Sequence, residues 1–246
     1  MRIALLADIH ANREALTACL AHARGQGAER LVFLGDYVGY GADPEFAVET
    51  VAECVAQGAL ALRGNHDDAV ARPPLSMRDD AWTAIAWTRG RLGAAAREFL
   101  AGLTLTIEEG ETLYVHAEAS APARWLYVTD AAAAARSLMA TGARLSFCGH
   151  VHVPCLYGLS VTGKLASFEP VAGVAVPLQR QRRWLVALGS VGQPRDGNPA
   201  ACYAMLDTAR AEITILRVPY DVEAAAAKIL AAGLPVTLAE RLRQGR

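Results

Sequence analysis

The stretch CGHVHV, from Cys148 to Val153, places two histidines one residue apart directly after the apolar run Leu145 to Phe147. An apolar run of this length is typical of a buried strand. Imidazole is polar and is the side chain that most often binds metals, so its place at the end of a buried strand requires partners. The question is which other residues of the chain meet these two histidines.

Four more apolar runs have the length of a buried strand, and polar residues follow each of them at once. The runs are Ile3 to Ala7, Leu31 to Leu34, Ala59 to Leu62 and Leu113 to Val115. The polar groups are ADIH at 7–10, GD at 35–36, GNHD at 64–67 and HAE at 116–118. Because the carboxyl ends of strands in an open α/β sheet face one crevice, we expect these groups to converge with the histidine pair.

Helical patterns separate these strands and follow the last of them. The predicted helices cover residues 12–24, 43–56 and 129–142, capped by Asn12, by Asp43 before Pro44, and by Thr129 or Asp130. Three later strands, Trp184 to Leu188, Cys202 to Leu206 and Glu212 to Val218, precede a last helix between Asp221 and Gly233. This order predicts an α/β fold with either one mixed sheet or two sheets packed face to face, and with helices outside.

Residues 67–103 form a mainly helical segment that begins with the helix-breaking stretch RPPLS, Arg72 to Ser76. Trp82 and Trp87 lie at near-helical spacing within it. Two interpretations follow: the segment covers the site, or it is an ordinary helical pair whose tryptophans fill the core. In either case we expect one domain over residues 1–246, because a division would leave two small cores.

The balance of charge excludes some classes of partner. The chain has 24 lysines and arginines against 25 aspartates and glutamates, so a formal net charge of -1 gives no general attraction to nucleic acid or anionic membranes. We therefore expect neither a long nucleic acid nor a membrane as partner. The N-terminal MRIALLADIH lacks the pattern of a secretory signal, and no apolar segment approaches the roughly 20 residues of a membrane helix.

The cysteines indicate a reducing environment. They number 5, are scattered along the chain and are never spaced C-x-x-C. This pattern argues against a disulfide framework and against a thiolate zinc site. The expected location is the cytoplasm.

The polar residues at the strand ends share one property, which is that they offer oxygen or neutral nitrogen and no thiolate. The candidate metal ligands are Asp8, His10, Asp36, Asn65, His116, His150 and His152. Imidazole and carboxylate together suit manganese, iron, cobalt, nickel or zinc, whereas an all-oxygen cage would indicate calcium or magnesium. Seven donors are too many for one tetrahedral site, so the sequence predicts two divalent ions that share a bridging carboxylate.

The ordered blocks D-x-H, G-D, G-N-H-D, H and G-H-x-H resemble those of the calcineurin-like metallophosphoesterase superfamily. Here they read Asp8-Ile9-His10, Gly35-Asp36, Gly64-Asn65-His66-Asp67, His116 and Gly149-His150-Val151-His152. The variant GDYVGYG at 35–41 and the later GSVGQPRDGNP at 189–199 are similar to a bacterial and archaeal phosphodiesterase-like subgroup. The resemblance implies a four-layer α-β-β-α sandwich of two packed mixed sheets, with helices outside and a dinuclear metal site at the strand C-terminal ends.

The same resemblance implies a role for each residue of the blocks. One ion would be bound by Asp8, His10 and His152, the other by Asn65, His116 and His150, and Asp36 would bridge the two. A hydroxide between the ions would attack phosphorus in line. His66 would donate a proton to the leaving group, so Asp36 and His66 are the expected catalytic residues.

One block departs from the protein Ser/Thr phosphatases of the superfamily, which have G-D-x-x-D-R-G. Gly39 and Tyr40 stand in place of the aspartate that orients the catalytic histidine and the arginine that grips phosphate. The departure puts protein-phosphatase activity in doubt, and it leaves His66 without its partner unless Asp67 or another acid substitutes. The candidates for substrate binding are Asn65, Tyr40, Arg63 and Arg195. Guanidinium suits this task because it can hold two phosphate oxygens at once.

These observations favour a metal-dependent phosphoesterase, either a phosphodiesterase or a phosphatase, that acts on small phosphorylated or nucleotide substrates. The alternatives are a Ser/Thr-type protein phosphatase and a non-catalytic scaffold that uses the same fold for protein binding. An oxidoreductase with an iron pair finds no further support. The complete donor set favours an enzyme over a scaffold. The native metals, the physiological substrate, the preference for monoesters or diesters and the oligomeric state stay open at this point.

Overall fold

Eight helices and twelve strands make up the part of the chain that the computed structural model describes, residues 1–72 and 79–246. In chain order they are β1 (Arg2–Leu6), α1 (Arg13–Gly25), β2 (Arg30–Phe33), α2 (Pro44–Ala56), β3 (Leu60–Ala61), α3 (Asn65–Ala71), α4 (Asp79–Arg91), α5 (Ala94–Gly102), β4 (Thr106–Glu109), β5 (Thr112–Val115), α6 (Ala131–Met139), β6 (Leu145–His152), β7 (Cys155–Ser160), β8 (Leu165–Phe168), β9 (Ala175–Pro177), β10 (Arg182–Gly189), β11 (Ala201–Asp207), β12 (Glu212–Val218), α7 (Val222–Ala231) and α8 (Val236–Gln244). A short 3₁₀ turn at Pro122–Arg124 lies between β5 and α6.

The strands form two six-stranded mixed sheets. The first has the order β3-β2-β1-β11-β12-β9 and the second the order β4-β5-β6-β10-β7-β8. Strands β1, β2 and β3 run parallel to one another, as do β5, β6 and β10. The polar residues that are expected to converge lie at the carboxyl ends of five strands, namely β1, β2, β3, β5 and β6.

Alternation along β1 fixes how the layers pack. Ile3 and Leu5 lie in the cluster between the two sheets, together with Phe147 of β6. Ala4 and Leu6 face the other way, into the cluster formed with α1 and α2. Because successive strand residues point to opposite faces, a slip of one residue would turn each set toward the wrong layer. Burial of a leucine or phenylalanine contributes about 1.5–3 kcal/mol, so this register is strongly favoured.

Helices cover both outer faces. On the second sheet, Ala134 and Leu138 of α6 pack against Cys148 and Leu185. Helices α7 and α8 pack together beside α1 and near Tyr40. The layers are therefore helix, sheet, sheet and helix, which confirms the four-layer sandwich with two packed mixed sheets.

The predicted helix starts are confirmed, with one difference in how they are capped. The side chains of Asn12 and Asp130 each accept a hydrogen bond from the backbone N–H three residues further on, at 3.1 and 2.8 Å. Asp43 makes no such bond although α2 begins directly after it. Its carboxylate accepts instead from Lys228 Nζ of α7 at 2.9 Å, so it ties two helices together.

Several elements escape the sequence patterns, namely β4, β7, β8, β9 and α8. The residues of β8 are mostly exposed, with Phe168 at 42%. Pairing with neighbouring strands, and not a buried apolar run, stabilises such edge strands. Trp82 is 44% exposed, so the expectation that both tryptophans fill the core is wrong for this residue, whereas Trp87 packs near α7 and α8.

Most of the RPPLS stretch, from residue 73 on, lies outside the described residues. Within the two described ranges, every helix is too short or too polar to cross a bilayer.

Candidate metal centre

Polar residues from both sheets meet at one edge of the sandwich. Asp8 and His10 follow β1, Asp36 follows β2, and Asn65 follows β3 at the start of α3. The second sheet contributes His116 after β5 and the last residues of β6, His150 and His152. All of these side chains are at most 5% exposed except that of Asn65, which is half-buried.

Asp8, His10 and His152 form the first cluster of donors, with one ligand atom of each lying within 4.8 Å of the others. Nε2 of His152 is 3.2 Å from Asp8 Oδ1, and Nε2 of His10 is 3.9 Å from the same oxygen. The two Nε2 atoms are themselves 3.1 Å apart. The geometry thus brings together the three residues expected to share one ion.

Asp36, His116 and His150 form the second cluster under the same 4.8 Å limit. Asn65 joins it, because its Oδ1 lies 3.2 Å from His116 Nε2. Asp36 Oδ2 is 3.4 Å from His116 Nε2 and 3.8 Å from Nε2 of His10 in the first cluster. One carboxylate oxygen therefore faces both groups of imidazoles, as a bridging ligand must.

The protonation of the imidazoles is fixed by their other ring nitrogens. In each of the four rings one nitrogen lies opposite a backbone carbonyl oxygen. The pairs are His10 Nδ1 with Val38 at 3.1 Å, His116 Nδ1 with Leu34 at 2.7 Å, His152 Nδ1 with Gln193 at 2.6 Å, and His150 Nε2 with Trp125 at 2.9 Å. A carbonyl oxygen only accepts, so that nitrogen carries a hydrogen, and in the neutral ring the other nitrogen presents a lone pair to the clusters.

The charges of the centre call for a cation. Burial opposes ionisation of Asp8, but His152 and His116 outweigh it and lower the pKa of Asp8 to about 2. Burial likewise opposes the charged form of Asp36, yet His116 and His66 hold its pKa well below the ordinary value. For His116 burial disfavours the proton, while Asp36 and Asp8 raise the pKa to about 9. Two buried carboxylates thus stabilise positive charge between them.

The backbone around the centre is strained. Positive φ angles outside glycine occur at nine described residues, and five of these are candidate ligands: Asp8, His10, Asp36, His150 and His152. Each such angle costs of the order of 1–3 kcal/mol and persists only when the surrounding structure enforces it. The fold is therefore less stable than it would be without these angles, which direct the five side chains toward one point.

Comparison with known proteins identifies the family. The sequence profile of the calcineurin-like phosphoesterase superfamily domain matches residues 1–211. The chain belongs to the calcineurin-like phosphoesterase superfamily. It is 35% identical to an uncharacterized protein of Methanocaldococcus jannaschii over 255 residues, which cover 99% of this chain and 98% of that protein.

Two solved structures have the same fold. A metallophosphoesterase from Sphaerobacter thermophilus is 33% identical, with a TM-score of 0.89 over 100% of this chain and 99% of that one. A hypothetical protein from Pyrococcus horikoshii OT3 shares the fold at 20% identity, with a TM-score of 0.79 over 100% and 98%. Proteins of the superfamily are metal-dependent, and the two clusters described above are groups that could hold metal.

Asp67 of the block GNHD holds two loops of the centre together. Its Oδ2 accepts from the backbone N–H of Asp36 at 2.7 Å and of Gly64 at 2.9 Å, and its Oδ1 from that of Tyr37 at 2.9 Å. Position 64 has to be glycine, because any Cβ there would collide with Asp36. Asp67 is therefore engaged with backbone groups and does not take the place of the missing acid beside His66.

His66 lies against the centre, with one of its ring nitrogens within 4.8 Å of ligand atoms of His10 and Asp36. Its ring is 4.5 Å from that of Tyr40 and 4.8 Å from that of His10, centroid to centroid. Among the described residues its buried Nδ1 has no hydrogen-bond partner. Burial lowers the pKa of His66 to about 4, so the ring is neutral near pH 7. Gly39 has a φ of +82°, and a Cβ there would collide with Nδ1, so the aspartate of the protein phosphatases does not fit.

The two arginines proposed for substrate binding lie in different places. The Arg195 guanidinium is 5.6 Å from the Tyr40 ring centroid and donates to Gln193 Oε1 through Nη2 at 2.9 Å. Its backbone N–H bonds to the carbonyl of His152, which brings it beside the first cluster. Arg63 instead donates to the Ala101 carbonyl and pairs with an aspartate of α3. The structure therefore brings Arg195, and not Arg63, to the centre.

Sequence reasoning missed three residues that touch the centre. Gln193 is 1% exposed, accepts from His152 through its carbonyl and holds Arg195 through its side chain. The carbonyl of Trp125 accepts from His150, on which the ring of Tyr127 stacks at 4.0 Å. For Gln193 the only signal was its place in GSVGQPRD. Trp125 and Tyr127 lie in a loop without a motif, and only their spacing of two positions marks them in the sequence.

Proposed function

We propose that this chain is a hydrolase that cleaves phosphoester bonds of small substrates with two divalent metal ions. One observation carries the proposal. Four imidazoles each have one ring nitrogen opposite a backbone carbonyl, so that in the neutral rings the other nitrogens direct lone pairs toward the buried carboxylates of Asp8 and Asp36. An arrangement that presents only lone pairs and negative oxygens is a ligand set for cations.

The donors divide between the two ions as the clusters suggest. Asp8, His10 and His152 would hold the first, Asn65, His116 and His150 the second, and Asp36 would bridge them. This mixture of imidazole and oxygen fits manganese, iron, cobalt, nickel or zinc. When bound, such a pair polarises a phosphoryl oxygen and lowers the pKa of water, which makes attack on phosphorus feasible near neutral pH.

Arg195 and Asn65 supply the phosphate contacts in this proposal. The Arg195 guanidinium donates to Gln193 on one side and lies over the ring of Tyr40. Within the described part of the chain, its remaining N–H groups are free. A planar cation in this position can bind two oxygens of a phosphate that reaches the ions. Tyr40 therefore contributes by supporting the cation and lining the site.

His66 is the group assigned to the leaving-group oxygen. It lies beside His10 and Tyr40, on the side of the first cluster where Arg195 also lies. With no carboxylate at Nδ1 and a neutral ring, it is suited to donate a hydrogen bond to that oxygen. The role implied by the superfamily, transfer of a proton, would need the stabilising acid that Gly39 replaces.

Small esters are the favoured substrates, and a Ser/Thr-type protein phosphatase is disfavoured by Gly39 and Tyr40 in place of Asp and Arg. A scaffold without activity is disfavoured because the donor set is complete and five of its residues have strained, positive φ angles. All five cysteines are unpaired, which supports a reducing compartment such as the cytoplasm.

A metal titration tests the proposal. The chain, freed of metal, is incubated with Mn²⁺, Co²⁺, Ni²⁺ or Zn²⁺ and assayed with bis(p-nitrophenyl) phosphate and p-nitrophenyl phosphate, while bound metal is measured by elemental analysis. Hydrolysis that rises with bound metal is expected. His152→Gln should abolish it, whereas His22→Gln should not, because His22 bonds to Tyr203 away from both clusters. Bound metal with neither ester cleaved would overturn the proposal.

A further inference from the structure

An aromatic loop borders the second cluster. The segment 122–128, which begins with the 3₁₀ turn, follows β5 and passes beside His116 and His150. The ring of Trp125 meets that of His116 edge-on at 5.9 Å, and its carbonyl accepts from His150. Trp125 has a φ of +54°, so the backbone here is held in a strained conformation next to the centre.

Tyr127 presents the free aromatic surface of this loop. Its ring stacks on His150 with a centroid distance of 4.0 Å and an interplanar angle of 17°. The residue is nevertheless 52% exposed. One face of the ring is thus occupied by a candidate metal ligand, and the side chain keeps a large accessible surface beside the centre.

The loop is anchored, so this surface is fixed in place. The carbonyl of Leu126 accepts from the backbone N–H of Glu118 at 3.0 Å, and Val128 is buried in the cluster beneath α6. Tyr127 lies between these two anchors. An aromatic side chain held in this way binds a second ring at a low cost in conformational entropy.

We propose that the exposed surface of Tyr127 binds a planar aromatic ring of the substrate, so that the preferred substrates are phosphoesters that carry a nucleobase or an aryl group. The inference rests on the proposed function, since it assumes that the phosphate lies at the clusters. Arg195 and Tyr40 flank the first cluster and Tyr127 the second. A phosphate between them leaves the rest of the substrate next to Tyr127.

Binding, measured without turnover, tests this inference. Dissociation constants of the metal-loaded chain are measured by calorimetry for the phosphonate analogues of thymidine 5′-monophosphate, 2-deoxyribose 5-phosphate, phenyl phosphate and methyl phosphate, whose P–C bonds a phosphoester hydrolase does not cleave. The wild type should bind at least one aromatic phosphonate roughly tenfold more tightly than its non-aromatic counterpart. The thymidine and phenyl pairs distinguish a nucleobase from an aryl ring. Tyr127→Ala should abolish the preference and Tyr127→Phe should keep it.

Tyr127→Leu and Trp82→Ala complete the experiment. The leucine variant keeps an apolar contact on His150 but offers no aromatic face, so it should lose the preference while retaining the bound metal. Trp82→Ala removes an exposed aromatic ring from α4 and should change nothing. No preference in the wild type, or equal weakening of all four ligands in both Tyr127→Ala and Tyr127→Leu, overturns the inference. A Tyr127-dependent preference in a chain that cleaves no ester supports the inference and rejects the hydrolase.

Discussion

The Nε2 atoms of His10 and His152 lie 3.1 Å apart, and with both rings neutral neither carries a hydrogen. The Nδ1 of each ring donates to a backbone carbonyl, of Val38 in one case and Gln193 in the other, so two lone pairs face each other. Asp8 adds a carboxylate oxygen 3.2 Å from His152. This contact becomes favourable only when a cation or a proton lies between the rings.

Removal of metal should therefore destabilise the fold. Metal at a hundredfold excess over its dissociation constant stabilises a one-site protein by about 2.7 kcal/mol, and a chain of this size shifts by about 2–4 °C per kcal/mol. We expect chelation to lower the melting temperature by about 5–10 °C and re-addition of Mn²⁺ or Zn²⁺ to restore it. Calorimetric melting of both forms measures the shift. Equal melting temperatures, with metal loss verified by elemental analysis, would contradict this expectation.

Asp36→Asn should reduce the number of bound ions from about two to about one. An amide oxygen lacks the charge with which Asp36 Oδ2 faces both clusters. Activity should fall by more than the roughly 10–100-fold that loss of an outer partner costs. Elemental analysis and kcat/KM give the two readouts. Asp130→Asn is the comparison, because Asp130 caps α6 outside both clusters and an asparagine can accept the same hydrogen bond, and it should keep both ions. Two ions in Asp36→Asn would refute the bridging role.

Gly39→Asp should not restore a catalytic dyad. A side chain there collides with Nδ1 of His66 and must adopt a φ of +82°, at a cost of the order of 1–3 kcal/mol. Urea unfolding should show this loss, and hydrolysis should decrease because His66 is displaced. Gly39→Ala, which has the same Cβ and no carboxylate, should behave alike. Higher activity in Gly39→Asp than in the wild type is the result that speaks against this account.

Arg195→Ala should lower kcat/KM for phosphoester hydrolysis by about 10–100-fold, because a hydrogen bond to a charged group contributes about 1.5–3 kcal/mol. Gln193→Ala should cost less, because Gln193 acts by holding the guanidinium through Oε1. Steady-state kinetics on p-nitrophenyl phosphate provide the comparison. Arg210→Ala, an exposed arginine in the turn before β12, serves as the control. An unchanged kcat/KM in Arg195→Ala would remove Arg195 from the site.

The sequence predicted the elements whose signals are local. Runs such as Ile3 to Ala7 were correctly predicted as strands, because a buried strand can be recognised from its own apolar residues without knowledge of its partners. Asn12 and Asp130 begin helices because their side chains bond within three residues. Strands β8 and β9 escaped because exposed edges are stabilised by pairing with distant residues.

By itself the sequence determined the fold family and predicted the candidate donors, because the order of short motifs at strand ends is a one-dimensional property. Tertiary structure alone decided which ring nitrogen of each histidine carries the hydrogen, that Arg195 and not Arg63 reaches the centre, and that Tyr127 stacks on His150. Those outcomes depend on contacts between residues far apart in the chain, whose distances and directions follow from how the two sheets pack. No local pattern encodes them.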